Sequence, residues 1–363
     1  MAFIRSTFYF ILLFFGSCSE TPNVEKVPIA KRVVPSQSLL SQKTNEKKKL
    51  SEYEFFKSPI AELIPNVNVY SYDVNTPLFS DYASKKRFVF LPKDSQMEFS
   101  QIENTLLFET GSILIKNFYY PISKNEERII ETRLLIKEKE GWKPLNYIWN
   151  TEQTDASLNY IGADIEVEWM NSHEEIQKVN YSVPNQNQCK NCHISGSEIT
   201  PIGLTVSQLN RKNSLLSANK NQLAFFHEAN LIKNLPEKSN WSKLPVWNNP
   251  LTGTVEERAK AYLDANCAYC HSPKGSAKNS GLYLSYSETN SRYRGVYKPP
   301  IAAGKGSGYL IYDIIPGDPE HSILLYRMKS KDPSIQMPEL GRSIVHEEGV
   351  SLIEEYIKNL KIN

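Results

Sequence analysis

The sequence predicts an α+β chain with three folded parts: a β-rich N-terminal body, an irregular middle segment and an all-α C-terminal region. Three observations carry this expectation. Between residues 56 and 180, runs of β-branched and aromatic residues alternate with turn signals. Between 181 and 250 no hydrophobic period is sustained. After residue 251 a capping box opens a helix, and apolar residues recur at helical spacing up to the C-terminus.

The elements follow in chain order. Residues 1–17 read as a secretion signal, with Arg5 as its positive end and Phe8 to Phe15 as a short apolar core. That run falls short of the ~20 apolar residues a membrane span needs. Small residues then precede Cys18, as in a bacterial lipoprotein cleavage box, although Phe15 stands where Leu is usual. Cys18 is therefore the expected lipidation site, with Ser19 rather than Asp after it, which favours retention at an outer membrane, on its periplasmic or its cell-surface side. Residues 18–55 are polar, carry Pro22, Pro28 and Pro35 and the basic run Lys47-Lys48-Lys49, and predict a flexible lipid-anchored tether.

In the β-rich part, 56–180, strands are expected at Arg87 to Leu91, Ser112 to Tyr120 and Arg128 to Lys137, with a half-buried strand from Ile165 to Trp169. They predict a sandwich or a small barrel. In the segment 181–250, Pro184 and the polar Asn185-Gln186-Asn187-Gln188 predict a loop into Cys189, and a helix is expected from Asn221 to Leu235. In 251–363, Thr254 is the predicted N-cap and Glu257 completes its box. The helix runs through Ala259, Tyr262 and Leu263 to Cys267. A Gly- and Ser-rich loop (Gly275 to Gly281), a short helix (Ser322 to Lys329) and the loop Met337-Pro338-Glu339-Leu340-Gly341 follow. The last helix places Val350, Ile353, Ile357 and Leu360 on one stripe.

The chemistry is concentrated in two Cys-x-x-Cys-His motifs, Cys189-Lys190-Asn191-Cys192-His193 and Cys267-Ala268-Tyr269-Cys270-His271. Each is the attachment signature of a c-type haem: two thiols become thioethers and the adjacent histidine offers an imidazole to the iron. The motifs use four of the five cysteines, so two covalently bound haem c groups are expected and no disulfide. A four-thiolate zinc site shares the local spacing. Its two halves usually lie roughly 15–20 residues apart, however, whereas Cys192 and Cys267 are about 75 positions apart, and zinc leaves His193 and His271 without a role. A thioredoxin-like dithiol lacks its surrounding βαβ pattern.

For the second haem, Met337 is the expected sixth ligand. Pro338 restrains the loop that carries it, and a thioether raises the potential relative to a second imidazole. Met328 is the competitor, inside a predicted helix where core packing explains it. For the first haem no Met-Pro pattern recurs. His227, on one helical face with Leu223 and Leu231, is expected to point inward. His173 is expected in an exposed turn, and Met170 lies upstream. The alternative to all three is an open position. His321 and His346 are expected at the surface.

The order of helix, haem motif, Met loop and final helix resembles a class I cytochrome c domain, which implies an all-α C-terminal fold. The body from about residue 70 onward also resembles a little-characterised family of bacterial di-haem c-type lipoproteins. The strings that carry this are Thr76-Pro77-Leu78-Phe79-Ser80-Asp81-Tyr82-Ala83, Lys86-Arg87-Phe88, Glu131-Thr132-Arg133-Leu134, Trp149-Asn150, Gln153-Thr154-Asp155-Ala156, Asn187-Gln188-Cys189, Gln208-Leu209-Asn210, Ala261-Tyr262-Leu263, Asn266-Cys267 and Met337-Pro338. The resemblance implies exported electron-transfer proteins with redox partner proteins, some of them accompanying a β-helix protein.

The expected function is single-electron transfer at a periplasmic membrane surface. The alternative is a di-haem peroxidase-like enzyme or ligand sensor with an open coordination site, for which Glu174 or Glu198 would be the acid–base group. A third possibility is a binding or docking module in which residues 60–180 recognise a partner, with strings such as Tyr119-Tyr120 as contact surface, and the haems only supply redox coupling. A net charge of +2 over 363 residues gives no case for nucleic acid. Nucleotide loops, Ser-His-Asp sets and paired-carboxylate sites have no counterpart in the sequence.

Overall fold

A six-stranded antiparallel sheet forms the body of the protein in the computed structural model, which describes residues 46–216, 220–301 and 304–361. Its strands are β1 (Val69–Tyr72), β2 (Ser84–Phe90), β5 (Ile113–Ser123), β6 (Glu126–Glu138), β7 (Gly141–Trp149) and β8 (Ala156–Asn159), hydrogen-bonded in that order. The short strands β3 (Met97–Ser100) and β4 (Thr105–Leu107) stand apart and join β13 (Ile232–Lys233) in a three-stranded sheet, with β13 parallel to β3. A hairpin of β9 (Ala163–Met170) and β10 (Ile176–Val183) packs on β5, and β11 (Ile194–Ser195) pairs with β12 (Glu198–Ile199) just past the first Cys-x-x-Cys-His motif. The main sheet stays open, with β1 and β8 as its edges, and the hairpin layered on it supplies the sandwich-like second layer.

Alternation decides what each face of the sheet meets. One face presents Phe88, Ile115, Leu145, Tyr147 and Trp149, which bury Leu50, Phe55 and Phe56. Leu50 and Phe55, expected in the tether, are therefore 2 % and 3 % exposed. Lys49 bridges to Ser157, and Ser51 donates to Asp155. The leader, Cys18 and the tether as far as residue 45 lie outside the described residues. On the opposite face, Val89, Leu114 and Leu135 form one apolar cluster with Leu209, Leu223 and Phe226. Phe118, Tyr120 and Ile130 form another with Trp169, Val179 and Tyr181 of the hairpin. Between these two clusters runs a polar row that floors the first haem-motif site.

Six α-helices occur among the described residues: α1 (Gln186–His193), α2 (Val206–Leu209), α3 (Gln222–Glu228), α4 (Val255–Asn266), α5 (Ile323–Lys329) and α6 (Glu347–Asn359). The loop expected before Cys189 is instead helix α1. Asn185 caps it by accepting from the Gln188 amide, and the Gln188 side chain accepts from the Asn185 amide, a complete capping box that outweighs Pro184. The helix expected from Asn221 to Leu235 ends at Glu228, because Asn230 takes a left-handed φ of 57° and the chain turns into β13. The Thr254–Glu257 box opens α4 as expected.

The all-α, cytochrome c-like C-terminal fold is not what the structure shows. Helices α4, α5 and α6 cover a minority of residues 251–361. Much of the remainder is 3₁₀ turns, bends and isolated bridges such as Val296↔Ile314 and Tyr312↔Ser322. Glycines at 281, 295, 304, 308 and 317 with positive φ break helical runs there, so a helix-only fold cannot propagate. The described residues are β-rich with six α-helices.

The β-rich part and the C-terminal region belong to one unit, Lys47–Asn363. Buried polar contacts tie them. The Asp81 carboxylate accepts from the Ser343 and Ile344 amides, Phe79 stacks on His346 at 4.1 Å, and the Thr76 hydroxyl donates to the Pro245 carbonyl. Among the described residues no helix is long and apolar enough to cross a membrane.

Candidate haem sites

Helix α4 carries the second motif at its C-terminal end, where the Cys267 and Ala268 amides close on the Leu263 carbonyl. The chain then folds back tightly enough that a Cβ on Gly275 would sit 2.1 Å from the Cys270 carbonyl oxygen, so only glycine fits there. His271 is half-buried, with Nδ1 3.2 Å from the Ser280 hydroxyl. That hydroxyl donates its proton to the Ala277 carbonyl at 2.7 Å, so its oxygen accepts from Nδ1–H. The lone pair of His271 is thereby left on Nε2, as an iron ligand requires.

Cys267, Cys270 and His271 line a cavity of about 650 Å³, within the ~300–1,000 Å³ typical of cofactor pockets. Leu282, Leu284, Ile323 and Leu324 make its wall largely apolar. Met337 lines the same cavity and so does Met328, which is also packed in the C-terminal core with Leu325 and Ile353. The Met337 loop is pinned: its amide donates to the Arg327 carbonyl, and Arg342 donates to the Arg327 and Ser330 carbonyls. Asp81 holds the far end of that loop.

The first motif lies on α1. His193 donates through Nδ1–H to the Thr200 carbonyl at 2.8 Å, a bond made possible by the β11–β12 turn, and again Nε2 keeps its lone pair. Burial holds both imidazoles down at about 4, in the neutral form. The Cys189 thiol is buried 3.6 Å from the Asn146 side-chain oxygen, to which it donates. Burial also pushes the Cys192 thiol up to about 11 and that of Cys267 up to about 12.

Cys189, Cys192 and His193 open into a smaller cavity of about 190 Å³, called the first cavity after the first motif. It adjoins the larger one, with Cys192, Tyr269 and Leu340 lining both. That is below the ~300–1,000 Å³ typical of cofactor pockets, and one wall is cationic. That wall is the polar row of the sheet: Arg87 on β2, Lys116 on β5, Arg133 on β6 and Asn146 on β7, paired in register across four strands. Sequence reasoning missed it. The available signal was a charge in phase with buried apolar positions: Arg87 with Val89, Lys116 with Leu114 and Phe118, and Arg133 with Leu135.

The candidate sixth ligands of the first motif, and the candidate acid–base groups, lie elsewhere. His227 is exposed on α3, because the side chains facing the core from that helix are Leu223 and Phe226; it does not point inward. His173 is exposed in a turn and Met170 ends β9, and neither lines the first cavity. Glu174 and Glu198 are exposed and outside both cavities, so neither is placed for acid–base work there. His346, expected at the surface, is 9 % exposed between Phe79, Trp247 and Tyr262. His321 is exposed, paired with Asp318.

Among the described residues no group of three or more His, Cys, Asp or Glu side chains converges as a metal cluster. The four thiols are not gathered into such a cluster among these residues. What each motif presents is two thiols and one oriented imidazole lining a cavity, the donor set of a thioether-bound haem. The chain matches no family model, no curated protein and no solved structure.

Proposed function

We propose that the protein is an exported di-haem c-type electron-transfer protein. The carrying observation is that both Cys-x-x-Cys-His segments line adjoining cavities that share Cys192, Tyr269 and Leu340. In this reading Cys189 and Cys192 hold one haem and Cys267 and Cys270 the other. His193 and His271 would supply imidazole nitrogens to the two groups, and Met337 would supply the thioether to the second. The haems, when bound, supply reversible one-electron chemistry. The chain's own residues fix the imidazole tautomers through Thr200 and Ser280, give the second site a largely apolar lining and hold the thioether loop through Arg342 and Asp81. Neighbouring cavities suit passage of an electron from one occupant to the next. Export, a lipid anchor on Cys18 and redox partner proteins, including a β-helix partner, belong to the same proposal and rest on the sequence.

A second reading is a ligand-binding or peroxidase-type first haem. It is favoured by the lining of the first cavity, where His193 is accompanied by Lys116, Arg87 and Arg133 rather than by a second imidazole or a thioether. Optically followed potentiometric titration of protein matured with its haems separates the two readings. Electron transfer predicts two one-electron steps with low-spin spectra and no peroxide turnover. One high-spin haem with turnover favours the second reading, and no redox transition refutes both.

A further inference from the structure

Three cations, Arg87, Lys116 and Arg133, occupy one cross-strand row on one face of the sheet. Directly opposed side chains on neighbouring strands sit ~4.5–5.5 Å apart at Cβ, and like charges so placed repel. Natural sheets avoid such rows, so what offsets this one is informative. Arg87 pairs with Asp73 at 2.6 Å, and Arg133 pairs with the buried Glu131. Asp73 is shared with Arg211, and Glu131 also accepts from the Tyr181 hydroxyl at 2.6 Å. Lys85, one row along, donates to the Leu78 carbonyl.

Among the described residues Lys116 has no hydrogen-bond or ion-pair partner. Its ammonium lies 4.8 Å from the centroid of the Phe118 ring, which the Arg133 guanidinium approaches to 4.2 Å. It lines the first cavity, as do Arg87 and Arg133. Asp264 is the carboxylate on the same lining, and its oxygen is taken by the Tyr286 amide. Among the described residues the row thus leaves Lys116, which is half-buried, without a carboxylate of its own, and an unpaired charge withdrawn from water is costly. Burial first, then the flanking Arg87, Lys85 and Arg133, push Lys116 well below the usual lysine range, against the opposing pull of Glu131.

We propose that this wall is an anion site: Lys116, flanked by Arg87 and Arg133, receives a carboxylate or small oxyanion entering the first cavity. Two sources share that chemistry, the propionate carboxylates of a haem attached at Cys189 and Cys192, or a free inorganic oxyanion. Only the propionate source rests on the di-haem reading.

The test is calorimetric titration with inorganic phosphate. It uses the haem-loaded protein, a Cys189→Ser/Cys192→Ser variant, and the chain made without haem maturation in case that variant does not fold. Phosphate binding to the haem-loaded protein, weakened about ten- to hundredfold by Lys116→Met and restored by Lys116→Arg, establishes a free-anion site. Binding only when the first haem is absent, with the same dependence on Lys116, establishes the propionate source. Absence of phosphate binding in every form, or binding indifferent to Lys116→Met, overturns the proposal. Haem absorbance of the same samples reports the di-haem reading separately, because the wall remains testable in a chain that takes up no haem.

Discussion

Asp81 is the most demanding test of how the sheet holds the thioether loop. Its carboxylate is 2 % exposed and accepts from the Ser343 amide at 2.8 Å, the Ser343 hydroxyl at 2.9 Å and the Ile344 amide at 3.1 Å. Hydrogen bonds to a charged acceptor contribute about 1.5–3 kcal/mol each, and each buried donor left unsatisfied costs about 1–3 kcal/mol. Three donors freed together do not add fully, since the chain relaxes and water enters, so Asp81→Ala is expected to cost about 3–5 kcal/mol. Asp81→Asn keeps one oxygen but turns an amide toward a donor, and should cost about 1–3 kcal/mol. Urea unfolding gives the stability change through the midpoint at unchanged slope. In the haem-loaded protein the loss should be accompanied by weakened thioether ligation at the second haem alone, because Ser343 closes the loop that carries Met337. A cost below about 1 kcal/mol for Asp81→Ala, or equal disturbance of both haems, would refute the clamp.

Three further outcomes follow from the same geometry. Burial among Phe79, Trp247 and Tyr262 holds His346 at about 4 against an ordinary 6.5, with Glu348 opposing, Lys85 reinforcing and Tyr82 edge-on. The unfolded chain therefore takes up a proton as pH falls through 6.5 while the folded chain does not, and stability drops between 6.5 and 4 by on the order of 3 kcal/mol. His346→Phe should remove that part of the slope, and an unchanged slope contradicts the assignment. Met337→Leu conserves volume, so it should cost less than about 1.5 kcal/mol of stability. It should nonetheless turn one haem high-spin and lower its potential, and an unaltered spectrum would exclude Met337 as the ligand. A Cβ on Gly349 would meet the Tyr262 hydroxyl at 2.3 Å, so Gly349→Ala must part α4 from α6 and should cost about 1–3 kcal/mol in thermal unfolding; wild-type stability would show the contact to be yielding.

What was legible in the sequence was local. Strands at Arg87, Ser112, Arg128 and Ile165 and the Thr254 cap follow from period and capping chemistry, and the structure has them as β2, β5, β6, β9 and α4. The Asn185–Gln188 box was equally local but was obscured by Pro184 and a run of four amides. The rest depends on distant partners. His346 is buried because Phe79, far away in the chain, stacks on it, and His227 is exposed because α3 stops before Leu231 can face it. Lys116 acquires meaning only once β2 and β6 bring Arg87 and Arg133 alongside. The helix–motif–Met-loop order suggested an all-α region because it counts helices and ignores the glycine-rich chain between them. Strings that suggested the family resemblance also fall at the cavities: Thr76, Leu78, Ser80, Arg87, Gln188 and Gln208 all line the first.

The central claim is two covalent haems on one chain, and intact-mass measurement of protein co-expressed with the c-haem maturation machinery tests it most directly. The account predicts a mass increase of two haems, reduced to one by Cys189→Ser/Cys192→Ser and to one by Cys267→Ser/Cys270→Ser. An unmodified polypeptide mass, or retention of both haems after either double substitution, would contradict it.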